Sequence, residues 1–401
     1  MSGKIIRAYL IFNWVYYFFF SLEFSIYVLF LKENGLTFTQ IGIVNMAFMA
    51  AAFLLEIPTG IVADYFGRKF SVLLGIFSTG LGALIYFFSV KLWGFIAAEI
   101  MFAFGYCFIS GALDAWVKDT LDFNGCNEKM AHVFSKGSIA SRGGALVGGL
   151  VGGLIGMYSL RLPWIITAGG LFLATIFLGR IIKEEYFKKS EAIGARAALR
   201  KMKEICVDSV KYGYSNKTVW NLILLNTIFI LGTQAFNMQW SPLFAEKIGM
   251  WSISWIYMLF SLFSILGIIA ASRDLRKGCA EKKMLYISIC LSGVAALGAS
   301  FFENGYVILS FFLFHEIGRG AMSPVQTALI QENIPSSMRA TIGSFNSMVG
   351  KLGAAVGWMG AGILADFLPI QMCWIISSGF FFLALIFVRK LKTKQSEMNS
   401  V

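Results

Sequence analysis

Apolar residues in this chain come in long, nearly unbroken runs rather than in alternation or in narrow helical stripes. A helix needs roughly 20 apolar residues to cross hydrocarbon. Twelve stretches meet that length: about 8–31, 39–63, 70–90, 92–118, 133–157, 160–182, 218–240, 251–272, 284–302, 306–333, 340–365 and 371–388. The polar segments between them are short except for Lys183 to Lys217, which divides the twelve six and six. Within it, "ARAALRKMKEICVDSVKYGY" keeps helical spacing under dense positive charge. That pattern fits a solvated linker helix, or one lying on an anionic membrane surface. The pattern predicts an all-α integral membrane protein: a six-helix bundle over 1–182, a cytoplasmic linker with an amphipathic helix over 183–217, and a second bundle over 218–401. The first run is too long for the apolar part of a signal peptide, roughly 7–15 residues, and has no small-residue cleavage site.

Composition agrees. Of 401 residues, 57% are hydrophobic and 14% charged, where a soluble protein carries roughly 25% charged residues. Glycine is abundant (41) and proline scarce (6), and small residues let membrane helices approach closely. The net charge of +12 raises nucleic acid as a partner, but its distribution argues for topology instead. With the N-terminus inside, 27 of the 34 Lys and Arg fall in cytoplasmic segments, four outside and three within spans. That asymmetry orients both termini to the cytoplasm. Cys107, Cys126, Cys206, Cys279, Cys290 and Cys373 lack metal-ligand or CxxC spacing, so free thiols and no metal are expected.

The halves resemble each other. "GIVADYFGRK" from Gly60 returns as "GIIAASRDLRK" from Gly267, and "KGSIAS" around Gly137 returns as "IGSFNS" around Gly343, at offsets of 207 and 206 residues. Two six-helix bundles related by a pseudo-two-fold axis place a substrate site near the bilayer midplane, between the halves.

The stretch Gly60 to Lys69 resembles the signature G-x-x-x-D-x-x-G-R-K/R between helices 2 and 3 of the major facilitator superfamily. The resemblance extends over the whole chain: twelve spans, cytoplasmic ends, a long central loop and a degenerate second copy after helix 8. It implies that fold, alternating access, and a conformational latch made of Gly60, Asp64, Gly67, Arg68, Lys69 and Asp119. Gly60 and Gly67 allow close helix contact and a sharp turn. Asp64 is implied to face the N-terminus of helix 11, near Arg339 to Thr341, where the helix dipole favours a carboxylate. Arg68 is implied to reach Asp119 at the end of helix 4. Helix 5, "SRGGALVGGLVGGLIG", resembles the glycine-rich antiporter signature with Gly149 at its proline position, and Met101 stands where drug–proton antiporters carry a helix 4 arginine. Helices 10 and 11, with "EIPTG" and "GALDAW", resemble the bacterial macrolide and multidrug efflux subgroup. Together these imply a bacterial-type plasma membrane.

Ionisable groups inside spans are costly, about 2.5–3.5 kcal/mol each at a helix centre on insertion scales. Four are candidates for proton coupling: Glu23, His315, Glu316 and Asp114. Glu23 lies about nine residues, or roughly 13 Å, from the outer end of helix 1. It either faces the cavity as the coupling acid or is a structural carboxylate held by Asn13, Tyr16, Tyr17 or Tyr27. Glu316 and Arg319 are spaced to pair on one helix face. His315 either titrates near neutrality or is a satisfied hydrogen-bonding group. Asp114 belongs to the latch or to proton exit. Candidate cavity residues are Asn13, Arg142, Asn226, Gln234, Asn237, Arg319 and Lys351. Arg142 and Lys351 neutralise a buried acid or attract an anion, and the helix 7 amides either suit a bulky, partly apolar ligand or bond between helices. Glu99 and Glu56 are read as structural.

No GxSxG elbow, P-loop, HExxH or Cys/His cluster is present in the sequence, which argues against an enzyme. The expected protein is a secondary transporter, with proton-coupled export of a bulky amphipathic small molecule as its function and a proton symporter importing a metabolite or nutrient as the alternative. Expected partners are the small-molecule substrate, protons and membrane lipid, with no cofactor and no nucleic acid, and the expected state is a monomer.

Overall fold

In hydrocarbon each backbone N–H must be satisfied within its own segment or against a close neighbour, so the long apolar runs fold as helices. The structure, a computed structural model, describes all residues except 1, 127, 188–199, 201–203, 205–206, 208–210, 213–215, 277–280, 335–337 and 392–401. Among the described residues there are fourteen helices and no strand. They are α1 (Ser2–Phe20), α2 (Tyr27–Glu33), α3 (Phe38–Phe66), α4 (Arg68–Phe88), α5 (Leu92–Ile109), α6 (Ala112–Phe123), α7 (Met130–Gly156) and α8 (Leu162–Ile181), followed by α9 (Lys217–Lys247), α10 (Ser252–Arg276), α11 (Glu281–Ala299), α12 (Gly305–Glu332), α13 (Arg339–Phe367) and α14 (Ile370–Lys390). Most of the expected linker helix lies outside the described residues, as do Cys206 and Cys279; Cys107, Cys126, Cys290 and Cys373 are free thiols.

Ten helical segments are long and apolar enough to cross a membrane by length and composition, against twelve expected. The two that differ are informative. The run 8–31 is not one helix: α1 stops at Phe20, and Ser21 to Ile26 form a turn before α2. Its backbone closes tightly, with Phe24 N–H donating to Ser21 O at 3.3 Å and Ile26 N–H to Glu23 O at 3.1 Å. The Ser25 hydroxyl donates to the Gly149 carbonyl of α7 at 3.0 Å. The second is α12, which is long enough but carries His315, Glu316 and Arg319 in its middle. Span 92–118 is also broken, at Gly111, whose φ of 77° favours glycine.

The chain divides into two compact units. The first comprises Met1–Leu36, Ala47–Met202 and Met250–Met258; the second comprises Thr37–Met46, Lys203–Gly249 and Leu259–Val401. The start of α3 therefore belongs with the second unit. There both carboxylate oxygens of Asp366 cap it, accepting from Phe38 N–H at 2.9 Å and Thr39 N–H at 2.8 Å. The start of α10 belongs with the first unit, where Tyr257 and Ser254 fill the space beside Gly149 and Gly153 of α7.

Within the first unit the glycine-rich face of α7 lies directly on the α1 backbone. A Cβ on Gly144, Gly148 or Gly152 would run into the carbonyls of Trp14, Phe18 and Leu22. This is the close backbone approach that small residues permit in membranes. The core of this unit gathers Phe12, Tyr16, Ile76, Trp116, Leu171 and Leu178. In the second unit Phe236, Phe312 and Trp374 pack against one another, and Phe381 packs against Phe229 and the His315 ring.

Candidate functional site

The α3–α4 junction is a single residue, Gly67, with φ 98° and ψ 154°. Arg68 Nη2 meets Asp64 Oδ1 at 3.0 Å, and Arg68 Nε stands 3.9 Å from Asp119 Oδ2 on α6. The arginine thus bridges the two acids named from the sequence, although Asp64 is 54% exposed. Lys69 enters through its backbone. The acid organising the junction was missed: Glu184, just beyond α8, accepts from Arg68 N–H at 2.7 Å and Lys69 N–H at 2.9 Å. These are unpaired donors of the first turn of α4, where the helix dipole also favours a carboxylate. Trp116 Nε1 donates to the Lys183 carbonyl at 2.8 Å and so anchors the segment that delivers Glu184. Burial, together with the charges of Glu184 and Asp119, raises the Tyr186 phenol above its ordinary pKa, so it stays protonated. Gly60 departs from expectation. It is exposed within α3, and nothing lies near a Cβ placed there; only Gly67 provides a turn. The side chains of Arg339 to Thr341, the expected counterpart of Asp64, lie outside the described residues.

The first unit buries the carboxyls of Glu23 and Glu99, whereas Asp114 is exposed. Glu23, in the turn after α1, is 3% exposed and accepts from the Thr167 hydroxyl of α8 at 3.3 Å. Its sequence-suggested partners are engaged elsewhere: Asn13 with the Tyr9 carbonyl, Tyr16 with Thr79, and Tyr27 with Glu99. Asn13 is itself buried. Asp114 occupies the first turn of α6 and accepts from the Tyr9 hydroxyl at 2.6 Å. Arg142 is exposed on α7 and makes no ion pair among the described residues.

The second unit brings four of the named residues into one chain of contacts. Glu316 Oε1 takes Arg319 Nη1 at 3.1 Å; the same nitrogen donates to Asn237 Oδ1 at 3.1 Å, and Asn237 Nδ2 donates to Gln234 Oε1 at 3.1 Å. Glu316 and Arg319 sit one turn apart on α12, and the amides sit one turn apart on α9, so helical spacing alone aligns each pair. The pair is lopsided, the Arg319 side chain being 42% exposed and that of Glu316 10%. His315 is fully buried: Nδ1 lies 3.3 Å from the Ser292 carbonyl, and the ring stacks on Phe236 at 4.6 Å. Asn226 reaches Asn346 of α13 at 3.4 Å, outside the network, and Lys351 lies half-buried on α13.

No group of three or more metal-ligating side chains occurs among the described residues. The arrangement offers buried carboxyls, a polar network with an accessible guanidinium, and a charged helix junction.

Two relatives match along nearly their whole length. The MFS-type transporter YxaM of Bacillus subtilis (strain 168) is 22% identical over 402 residues, 93% of each chain. The MFS-type transporter MJ1560 of Methanocaldococcus jannaschii is 21% identical over 357 residues, 88% of this chain and 89% of its own. Among solved structures, the nucleoside transporter NupG superposes with a TM-score of 0.79 at 14% identity, covering 97% of this chain and 100% of that one. The human organic anion transporter MFSD10 (TETRAN) superposes at 0.69 with 15% identity, over 96% and 99%. At such identities the likeness is one of fold, and two neighbours with different cargoes share it. The model of the Major Facilitator Superfamily matches residues 9–277 and 251–400, and with its many membrane-crossing helices this chain belongs to that superfamily of multi-pass membrane transporters.

Proposed function

We propose that the chain is a secondary active transporter working by alternating access, which exports a bulky amphipathic small molecule in exchange for protons. In this proposal it works as a monomer in lipid, in a bacterial-type plasma membrane with both termini in the cytoplasm. The observation that carries proton coupling is Glu23. A carboxyl 3% exposed in a membrane helix bundle, with a threonine hydroxyl as its partner and no salt bridge among the described residues, is best accommodated when it holds a proton. Moving that proton with a conformational change couples a gradient to transport, provided proton and substrate bind the two states with different affinity. The network of Gln234, Asn237, Arg319 and Glu316 supplies polar contacts for a cargo, and the efflux-type sequence of helices 10 and 11 supports export. The cluster of Asp64, Arg68 and Asp119 is the proposed latch, and Asp114 a proton-exit group.

One observation favours the alternative, a proton symporter importing a metabolite. Gly149 stands at the antiporter proline position, and the Tyr257 ring fills the space beside it. An accessible Arg319 would then grip an anionic cargo.

The test is flux in proteoliposomes under an imposed pH gradient, with cationic dyes, macrolides, organic anions and simple metabolites as cargoes and a pH dye recording protons. Cargo moving against the proton flow, lost in Glu23→Gln, is the expected result. Co-directional movement overturns export, and undiminished gradient-driven flux in Glu23→Gln removes that residue from the coupling.

A further inference from the structure

Glu99 lies on α5, 7% exposed, and nothing in the transport cycle proposed above uses it. Two phenols converge on one of its oxygens. Tyr86 of α4 donates to Oε1 at 2.6 Å, and Tyr27 of α2 donates to the same oxygen at 2.9 Å. The two phenol oxygens are themselves 3.3 Å apart. The three groups therefore form a closed triangle in which every edge is within hydrogen-bonding distance.

We infer that Glu99, Tyr27 and Tyr86 form a proton-binding site separate from Glu23. A count of hydrogens supports this. Each phenol carries one proton, and an ionised carboxylate only accepts. With Glu99 ionised, both phenol protons point at Oε1, and the phenol–phenol edge holds no hydrogen. When Oε1 takes one proton from water, the triangle has three hydrogens for three edges. The carboxyl then donates to Tyr86, Tyr86 to Tyr27, and Tyr27 back to Oε1. Every oxygen gives one hydrogen and receives one, and no heavy atom has to move. A site built only to hold a fixed charge would place a cation against the acid. One built only to bury a neutral acid would not aim two donors at a single oxygen. This triangle satisfies both protonation states.

The surroundings leave the proton as the charge that balances Glu99. Trp164 of α8 stacks on the Tyr86 ring at 4.0 Å, and Phe30, Phe95 and Phe102 pack around that ring. The titratable groups hydrogen-bonded to Glu99 are Tyr27 from α2 and Tyr86 from α4. The guanidinium of Arg161, at the N-cap of α8, is engaged by the Phe87 carbonyl at 2.6 Å and Asn34 at 2.8 Å. Among the described residues no Lys, Arg or His forms a salt bridge with Glu99.

The inference deepens the proton coupling proposed above, but its readout is separate. Full-length protein in lipid nanodiscs is titrated with pH while infrared difference spectra record the protonated-carboxyl stretch. The expected result is a component that Glu99→Gln removes and that Tyr86→Phe or Tyr27→Phe retains at a shifted wavenumber, each variant first shown to be monodisperse. A spectrum unchanged by Glu99→Gln overturns the site. A Glu99 component that neither phenylalanine variant shifts overturns the triangle. Failure of gradient-driven flux would sink the coupling and leave this band intact; absence of the band would sink the site and leave Glu23-dependent flux intact.

Discussion

Replacing Glu184 should loosen the first turn of α4. Both of its carboxylate oxygens accept from backbone donors, Arg68 N–H at 2.7 Å and Lys69 N–H at 2.9 Å, neither of which has a partner within the helix. Removal of a side-chain cap costs about 0.5–2 kcal/mol, and a carboxylate at a helix N-terminus contributes a further 0.3–1 kcal/mol or so through the dipole. The site is partly open, so water replaces some of the lost bonding, and a net of about 1–2 kcal/mol is expected for Glu184→Ala. That corresponds to a factor of roughly 5–30 in a local opening equilibrium. Hydrogen exchange read by mass spectrometry on a peptide covering Phe66 to Val72 measures that opening where amides exchange through local fluctuations. Glu184→Gln, which keeps one acceptor without the charge, should fall between. Gly67→Ala should speed exchange too, because its φ of 98° and ψ of 154° lie in a region that costs a non-glycine residue about 1–3 kcal/mol. A Cβ there would also stand 2.7 Å from Glu184 Oε2, so the two changes should combine less than additively. Exchange at Arg68 and Lys69 within about twofold of wild type in Glu184→Ala, too small for a lost cap, would refute the capping role.

Two further outcomes separate residues that look alike in sequence. Gly60→Ala should leave thermal stability in detergent unchanged or raise it, gaining about 0.5–1 kcal/mol of helix propensity at an open position. Gly152→Ala should lower it, because the added carbon meets the Leu22 carbonyl and overpacking costs about 1–3 kcal/mol; a Gly152→Ala protein as stable as wild type would show that α1 and α7 have slack. Arg319→Ala should destabilise by about 1–3 kcal/mol by leaving the nearly buried Glu316 without its cation. Glu316→Gln in the same chain should restore much of that, and unfolding that shows no such rescue would mean the pair is not coupled.

These outcomes mark where sequence alone suffices and where it stops. Local spacing was enough to pair Glu316 with Arg319, because one helical turn fixes that geometry. It was also enough to place the turn at Gly67, where a glycine beside charged residues interrupts two apolar runs. The break in the first run was not legible. Ala8 to Leu31 contains neither glycine nor proline, and the partner that satisfies Ser25 lies 124 residues away on α7. Glu184 escaped for the same reason, standing 116 residues from Arg68; its only local signal was an acid pair directly after an apolar span.

Glycine shows the limit most clearly. The sequence tells which positions permit another backbone to approach, but only the fold tells which of those positions has a neighbour. Gly60 and Gly267 occupy matching places in the internal repeat, yet Gly60 faces open space while Gly267 lies against the Ile317 carbonyl. Gly137 and Gly343 reverse the pattern, with Gly137 against the Tyr9 ring and Gly343 open. In each matched pair one half spends its glycine on packing and the other does not. Local packing has thus diverged at both repeated positions. By the same logic, polar groups in one half predict little about the other: the phenol–carboxyl triangle of the first unit and the guanidinium–amide chain of the second are distinct sites, and each must be tested by its own substitutions.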